Sequence, residues 1–180
     1  FSAGEPMWRG GLSAPASLFL HAERPLISEN ATSSLLHEVM HTALGLRPRD
    51  GYDWIAEGLA EYYSIELLRR GKAITASRAA TAFAQQETWS RDAGTLCGRT
   101  STGPTTALAV TTLRALDTEL QEMSDSKVDL DALLPLLVDS VVDLESLAQA
   151  AQQLVGSTPD TLHSEALPGC RTIAAAREEN

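Results

Sequence analysis

The chain is short of positive charge: 14 lysines and arginines stand against 24 aspartates and glutamates in 180 residues, for a formal net charge of −10. Basic residues never form a dense run, which argues against a nucleic-acid partner held through its phosphates. The nearest approach is Arg69, Arg70 and Lys72, at the end of an expected helix, where cations offset the helix dipole. Long apolar runs are also missing. Leu133 to Val138 is the densest, contains Pro135, and is far shorter than the roughly 18 residues a bilayer span requires, so no membrane span is expected. Cysteine is scarce: Cys97 and Cys170 are the only two. They either close a long loop as a disulfide or stay as buried thiols, and pairing would place the chain in an oxidising compartment, periplasmic or secreted. The chain begins at Phe1 and not at a methionine. That suggests a trimmed or processed chain, with any signal peptide or amino-terminal domain lying outside it.

An apolar content of 43% suits one packed globular domain spanning 1–180. No repeat or low-complexity tract interrupts it. Residues 1–30 carry Gly, Pro and Ser around the apolar Ser17-Leu18-Phe19-Leu20-His21, which reads as a short strand. Residues 31–70 hold the motifs described next, and 71–180 read as helices over 73–92, 105–123, 129–140 and 143–155, with a loop between 91 and 104. The expected class is mainly α with a small β component. Trp8, Trp54 and Trp89 are expected in the core.

The run His37-Glu38-Val39-Met40-His41 carries the chemistry. Two histidines four apart on a helix differ by roughly 40° around its axis, so both imidazoles project toward one point that can hold a metal ion. Glu38 lies about 100° around from His37, close enough to act on a metal-activated water without being a ligand. Leu36, Val39, Met40 and Ala43 fall on the opposite arc and are expected to pack inward. Asn30, Thr32, Ser33 and Ser34 are possible caps, and Gly45 with Pro48 supplies the stop, which predicts a helix over about 33–44.

Arg47 to Asp53 reads as a turn, with Asp53 capping a second helix over about 54–70 that Gly71 ends. So short a connector can fold Glu57, in the first turn of the second helix, back onto the histidines. Three ligands then leave a fourth position open, the arrangement of a catalytic zinc site. Glu38 would take the proton of the attacking water and return it to the departing amine. Glu61, one turn past Glu57, is placed to accept a hydrogen bond from the outer nitrogen of a ligand histidine. Imidazoles with a carboxylate suit zinc, while cobalt, nickel or manganese fit the same donors.

The pairing of this motif with Glu57-Gly58-Leu59-Ala60-Glu61-Tyr62-Tyr63 resembles the gluzincins, and within them the catalytic domains of the M1 and M61 aminopeptidase families. The likeness is most specific over Leu35 to Leu68. It implies a thermolysin-like catalytic lobe followed by helices, with Zn2+ on His37, His41 and Glu57 and with Glu38 as general base. Ser17 to His21 looks like the edge strand that aligns substrate in such enzymes, and Val128 to Leu162 is similar to their helical tail. Fifteen residues separate His41 from Glu57, somewhat fewer than is usual in M1 enzymes. The Gly-Ala-Met-Glu-Asn signature for a substrate amino terminus is missing, and so is the downstream tyrosine that stabilises the oxyanion, near Thr100 to Val110. Tyr52, Tyr62, Tyr63, His21 and His163 are the candidates for that role. Read without the family, Tyr62 and Tyr63 are core or groove-lining residues, and His21 and His163 are surface histidines.

The expected function is zinc-dependent hydrolysis of a peptide or protein substrate. One competing reading is a zinc-binding pseudopeptidase that serves as a peptide-binding or assembly module. Another is a helical structural domain with a fortuitous motif.

Overall fold

The computed structural model describes residues 2–4, 11–14, 17–21, 23, 25–98 and 100–170. Trp8 lies outside them, and His21 is described only through its backbone. The first elements are short strands, β1 (Ser2–Gly4), β2 (Gly11–Ala14) and β3 (Ser17–His21), in the order β1-β3-β2. β3 runs parallel to β1 and antiparallel to β2, with Gly11 opposite Leu20 and Leu12 opposite Phe19. The expectation that Ser17–His21 forms a sheet edge is therefore corrected. Its backbone is paired on both sides, and β2 is the edge strand that borders the cleft described below.

Helix α1 (Ser34–Leu44) starts where Ser33, in extended conformation, accepts the amide of Leu36, and stops where Gly45 turns left-handed at φ 56°. Both ends are encoded locally, since a serine side chain satisfies an orphan N–H and glycine takes positive φ without a Cβ clash. Met40 and Leu44 are buried on its inner face, but Ala43 is exposed, contrary to expectation. The chain then forms β4 (Arg47–Pro48), paired in parallel with β5 (Val141–Val142).

Helix α2 (Asp53–Arg70) is the centre of the molecule. Trp54, Ile55, Leu59 and Ile65 are almost completely buried, because α1 packs on one side and α4 (Pro104–Met123) on the other. Gly58 permits the second contact: a Cβ built there would lie 2.7 Å from the Cβ of Ala109. Asp53 does not cap this helix as expected. Tyr52 is the N-cap residue, and the Asp53 carboxylate accepts the Ser101 amide at 3.0 Å, which ties the 91–103 loop to the start of α2. At the other end Arg69 and Arg70 do more than offset a dipole. Both bind the buried Glu66, and Arg70 also pairs with Asp131.

Helix α3 (Ala76–Ser90) lies on α4 and α2, and α5 (Leu130–Leu137) and α6 (Leu144–Val155) close the far side with Leu130, Leu133 and Leu147 in the core. Among the described residues six α-helices, a 3-10 turn (Asp160–Leu162) and a few short strands make the fold mainly α. Each expected helix is present to within about three residues at either end, while β1, β2 and the β4–β5 pair are additions to the sequence reading. Cys97 and Cys170 form a disulfide that joins the 91–103 loop to the end of the described chain. Among the described residues no helix is long and apolar enough to cross a membrane.

Candidate metal centre

Packing of α1 against α2 brings three donors together. Nε2 of His37 lies 3.1 Å from Nε2 of His41 and 3.2 Å from Glu57 Oε2, and Nε2 of His41 lies 3.2 Å from Glu57 Oε1. Donor atoms around a tetrahedral zinc ion, with bonds of about 2.0–2.1 Å, stand about 3.3–3.4 Å apart, close to each of these contacts, but the two imidazoles meet different oxygens of Glu57, so with one atom from each residue the triangle closes to within 4.8 Å. His37, His41 and Glu57 form a group able to hold a metal ion.

The electrostatics fit a cation. Burial opposes the charged form of His37, but the neighbouring Glu57 and Glu61 carboxylates outweigh it and push its pKa up to about 10. Burial likewise opposes ionisation of Glu57, yet hydrogen bonds from His37 and His41 bring its carboxyl down to about 2. Without a metal ion, a proton on His37 compensates the paired carboxylates, and a dication is the natural replacement for it.

Glu61 stands behind the three candidate donors. Its Oε2 lies 3.1 Å from Nδ1 of His37, where it holds the ring so that Nε2 points into the triangle. Its Oε1 accepts from Nε2 of Gln86 on α3 at 3.2 Å. Gln86 is a residue that the sequence reading missed. One of two adjacent glutamines on an Ala-rich helix, it lies 25 residues past Glu61 and has no spacing that connects it to the motif.

Glu38, also on α1, is 6% exposed and lines the same cleft as the three donors. Its side chain lies against Gly11 of β2, so closely that a Cβ there would come within 2.5 Å of Glu38 Oε1. The cleft, of about 530 Å³, is bordered by Gly11, Leu12 and Ser13 of β2, by Asn30, Thr32 and Ser34 ahead of α1, and by Trp89. Among the described residues no lysine or arginine lines it. Trp89 was expected in the core, yet it is 47% exposed at the cleft rim.

Tyr62 and Tyr63 do not line the cleft. One position past Glu61 and two past it, they turn to other faces of α2 and are buried. Tyr63 donates to Asp131 at 2.7 Å and the Tyr62 hydroxyl reaches toward Asp117 at 3.5 Å. Burial, with these aspartates adding to it, holds both phenols well above the usual tyrosine range. Of the two readings given for them, oxyanion or substrate contact and core residue, this placement fits the second. Tyr52 is buried away from the cleft, and His163 is half-exposed beside Asp160. Comparison of the chain with protein-family models, curated proteins and solved structures returns no significant match.

Proposed function

We propose that the chain is a zinc-dependent peptide-bond hydrolase of gluzincin type. One observation carries the reading: His37, His41 and Glu57 converge within 4.8 Å of one another in the open cleft that the buried Glu38 also lines. A zinc ion bound there would lower the pKa of a coordinated water to about 7 and polarise a substrate carbonyl.

The remaining steps belong to the chain itself. The Glu38 carboxylate takes a proton from the attacking water and returns it to the leaving amine, and its burial against Gly11 limits the rotamers it samples. Glu61 keeps Nδ1 of His37 protonated, so that Nε2 retains its lone pair. β2 is the edge of its sheet, and its backbone can pair with an extended peptide laid along the cleft. Trp89 provides an apolar face at the rim for a substrate side chain. The Cys97–Cys170 disulfide supports a periplasmic or secreted setting.

The pseudopeptidase reading draws on a different observation. With Tyr62 and Tyr63 turned into the core, no phenol borders the cleft among the described residues, and loss of one oxyanion donor costs about 100- to 1,000-fold in turnover. Comparing wild type with Glu38→Gln separates the two, with zinc measured by elemental analysis and cleavage followed on a mixed peptide library. Hydrolysis by wild type, with at least about 100-fold loss and full zinc in Glu38→Gln, supports the enzyme. Equal turnover in both proteins would reject it. Full zinc with no turnover in either favours the pseudopeptidase.

A further inference from the structure

Gln86 is 5% exposed and has an unusual balance of hydrogen bonds. Its Nε2 donates to Glu61 at 3.2 Å, while its Oε1 is buried with no partner among the protein atoms. Turning the amide over is no remedy, because it would set Oε1 against the Glu61 carboxylate, acceptor against acceptor. A methionine would fill the same space without burying an unpaired acceptor. On packing alone, then, glutamine is a poor occupant of this position, and what it adds is a single N–H aimed at Glu61.

Glu61 has few other restraints. Its Oε2 receives Nδ1 of His37 and a long contact of 3.5 Å from Ser64 Oγ, whereas Gln86 is the partner of its Oε1. A carboxylate anchored at one oxygen can swing about its χ angles, and anchoring the second oxygen fixes the plane in which Oε2 meets the imidazole. The resulting chain of contacts crosses three helices, from Gln86 on α3 through Glu61 on α2 to His37 on α1.

We infer that Gln86 is a positioning residue for the metal centre: it holds Glu61 in the orientation that presents Nε2 of His37 to the ion. This rests on the metal reading of His37, His41 and Glu57 and extends it by one residue on a third helix. The role is exerted through Glu61, and Gln86 itself touches neither metal nor substrate.

The test measures zinc affinity by competition with a chromogenic chelator, alongside thermal unfolding of the metal-free protein. Gln86→Met is expected to weaken zinc binding about tenfold or more, within the range seen when outer partners of metal ligands are removed, while metal-free stability stays level or rises. Gln86→Glu sets two carboxylates face to face and should weaken binding further. Adding Glu61→Gln to Gln86→Glu restores a donor–acceptor pair in the reverse sense and should recover part of that loss. Unchanged zinc affinity in Gln86→Met, or a double variant no better than Gln86→Glu alone, overturns the inference while leaving the metal centre intact. If wild type fails to bind zinc at all, the metal reading itself falls and takes the inference with it.

Discussion

Nδ1 of His37 and Oε2 of Glu61 lie 3.1 Å apart across the α1–α2 interface, while Nε2 on the far side of the same ring faces Glu57 at 3.2 Å. One imidazole therefore carries two carboxylates with different duties. Replacement should tell them apart. Glu57→Ala removes a proposed ligand and should abolish tight zinc binding. Glu61→Ala leaves all three ligands and should weaken binding only about 10- to 100-fold. Equal losses in isothermal titration would mean that the two roles are wrongly divided.

Proton release should accompany metal uptake. His37, raised to about 10 in the metal-free protein, carries a proton at neutral pH that a dication must displace, whereas Glu57, lowered to about 2, is already charged. Zinc affinity should rise about tenfold per pH unit between about pH 6 and 8, with close to one proton released per ion. Calorimetry in buffers of differing ionisation enthalpy measures that number, and a value near zero contradicts the electrostatics given above.

The same shifts set the pH profile of metal-free stability. The His37 contribution is complete below its unfolded value of 6.5 and lost as pH rises through about 10. The Glu57 contribution is complete above 4.5 and lost as pH falls toward about 2. Both are in force between about 4.5 and 6.5, so urea midpoints of metal-free protein should peak in that window. In Glu57→Gln the acid-side loss should shrink.

Gly58→Ala tests the crossing of α2 over α4. Alanine gains up to about 1 kcal/mol in helix propensity, but overpacking of this kind costs about 1–3 kcal/mol, and the new methyl would press on Ala109. Net destabilisation is expected in denaturant unfolding. A more stable variant would show that the two helices have room to separate.

Several features of the fold can be read from the chain because they are local. Ser33 and Gly45 mark the ends of α1, and the His37–Glu38–His41 spacing puts its polar groups on one arc regardless of the rest of the molecule. Gly58 was legible only as part of a family-like motif, and its physical reason, the approach of Ala109, lies about fifty residues away. β1 and β2 escaped notice since Ser-Ala-Gly and Gly-Leu-Ser-Ala are too short, and Leu12 too isolated a large apolar residue, to show an alternation of apolar and polar side chains. That omission also made β3 look like an edge. Trp89 was misassigned by composition: a large aromatic is usually core, but residues 82, 85, 86 and 89 form one stripe of α3, and its end opens onto the cleft. Tyr62 and Tyr63 were oxyanion candidates only by resemblance; read from the residues they are core, since a one-residue step from Glu61 turns a helical side chain by about 100°.

All three donors of the triangle come from one helical hairpin, residues 34–70, whereas the wall that confines Glu38 comes from β2 and the brace behind Glu61 from α3. In the proposed reading, the residues that would hold the ion thus sit in one contiguous segment, while the supports that tune them, Gln86 behind Glu61 included, come from outside it. Under that reading, loss of the first strands would free Glu38 from Gly11 while leaving His37, His41, Glu57 and the Gln86 brace in place, so hydrolysis would lapse before metal binding does.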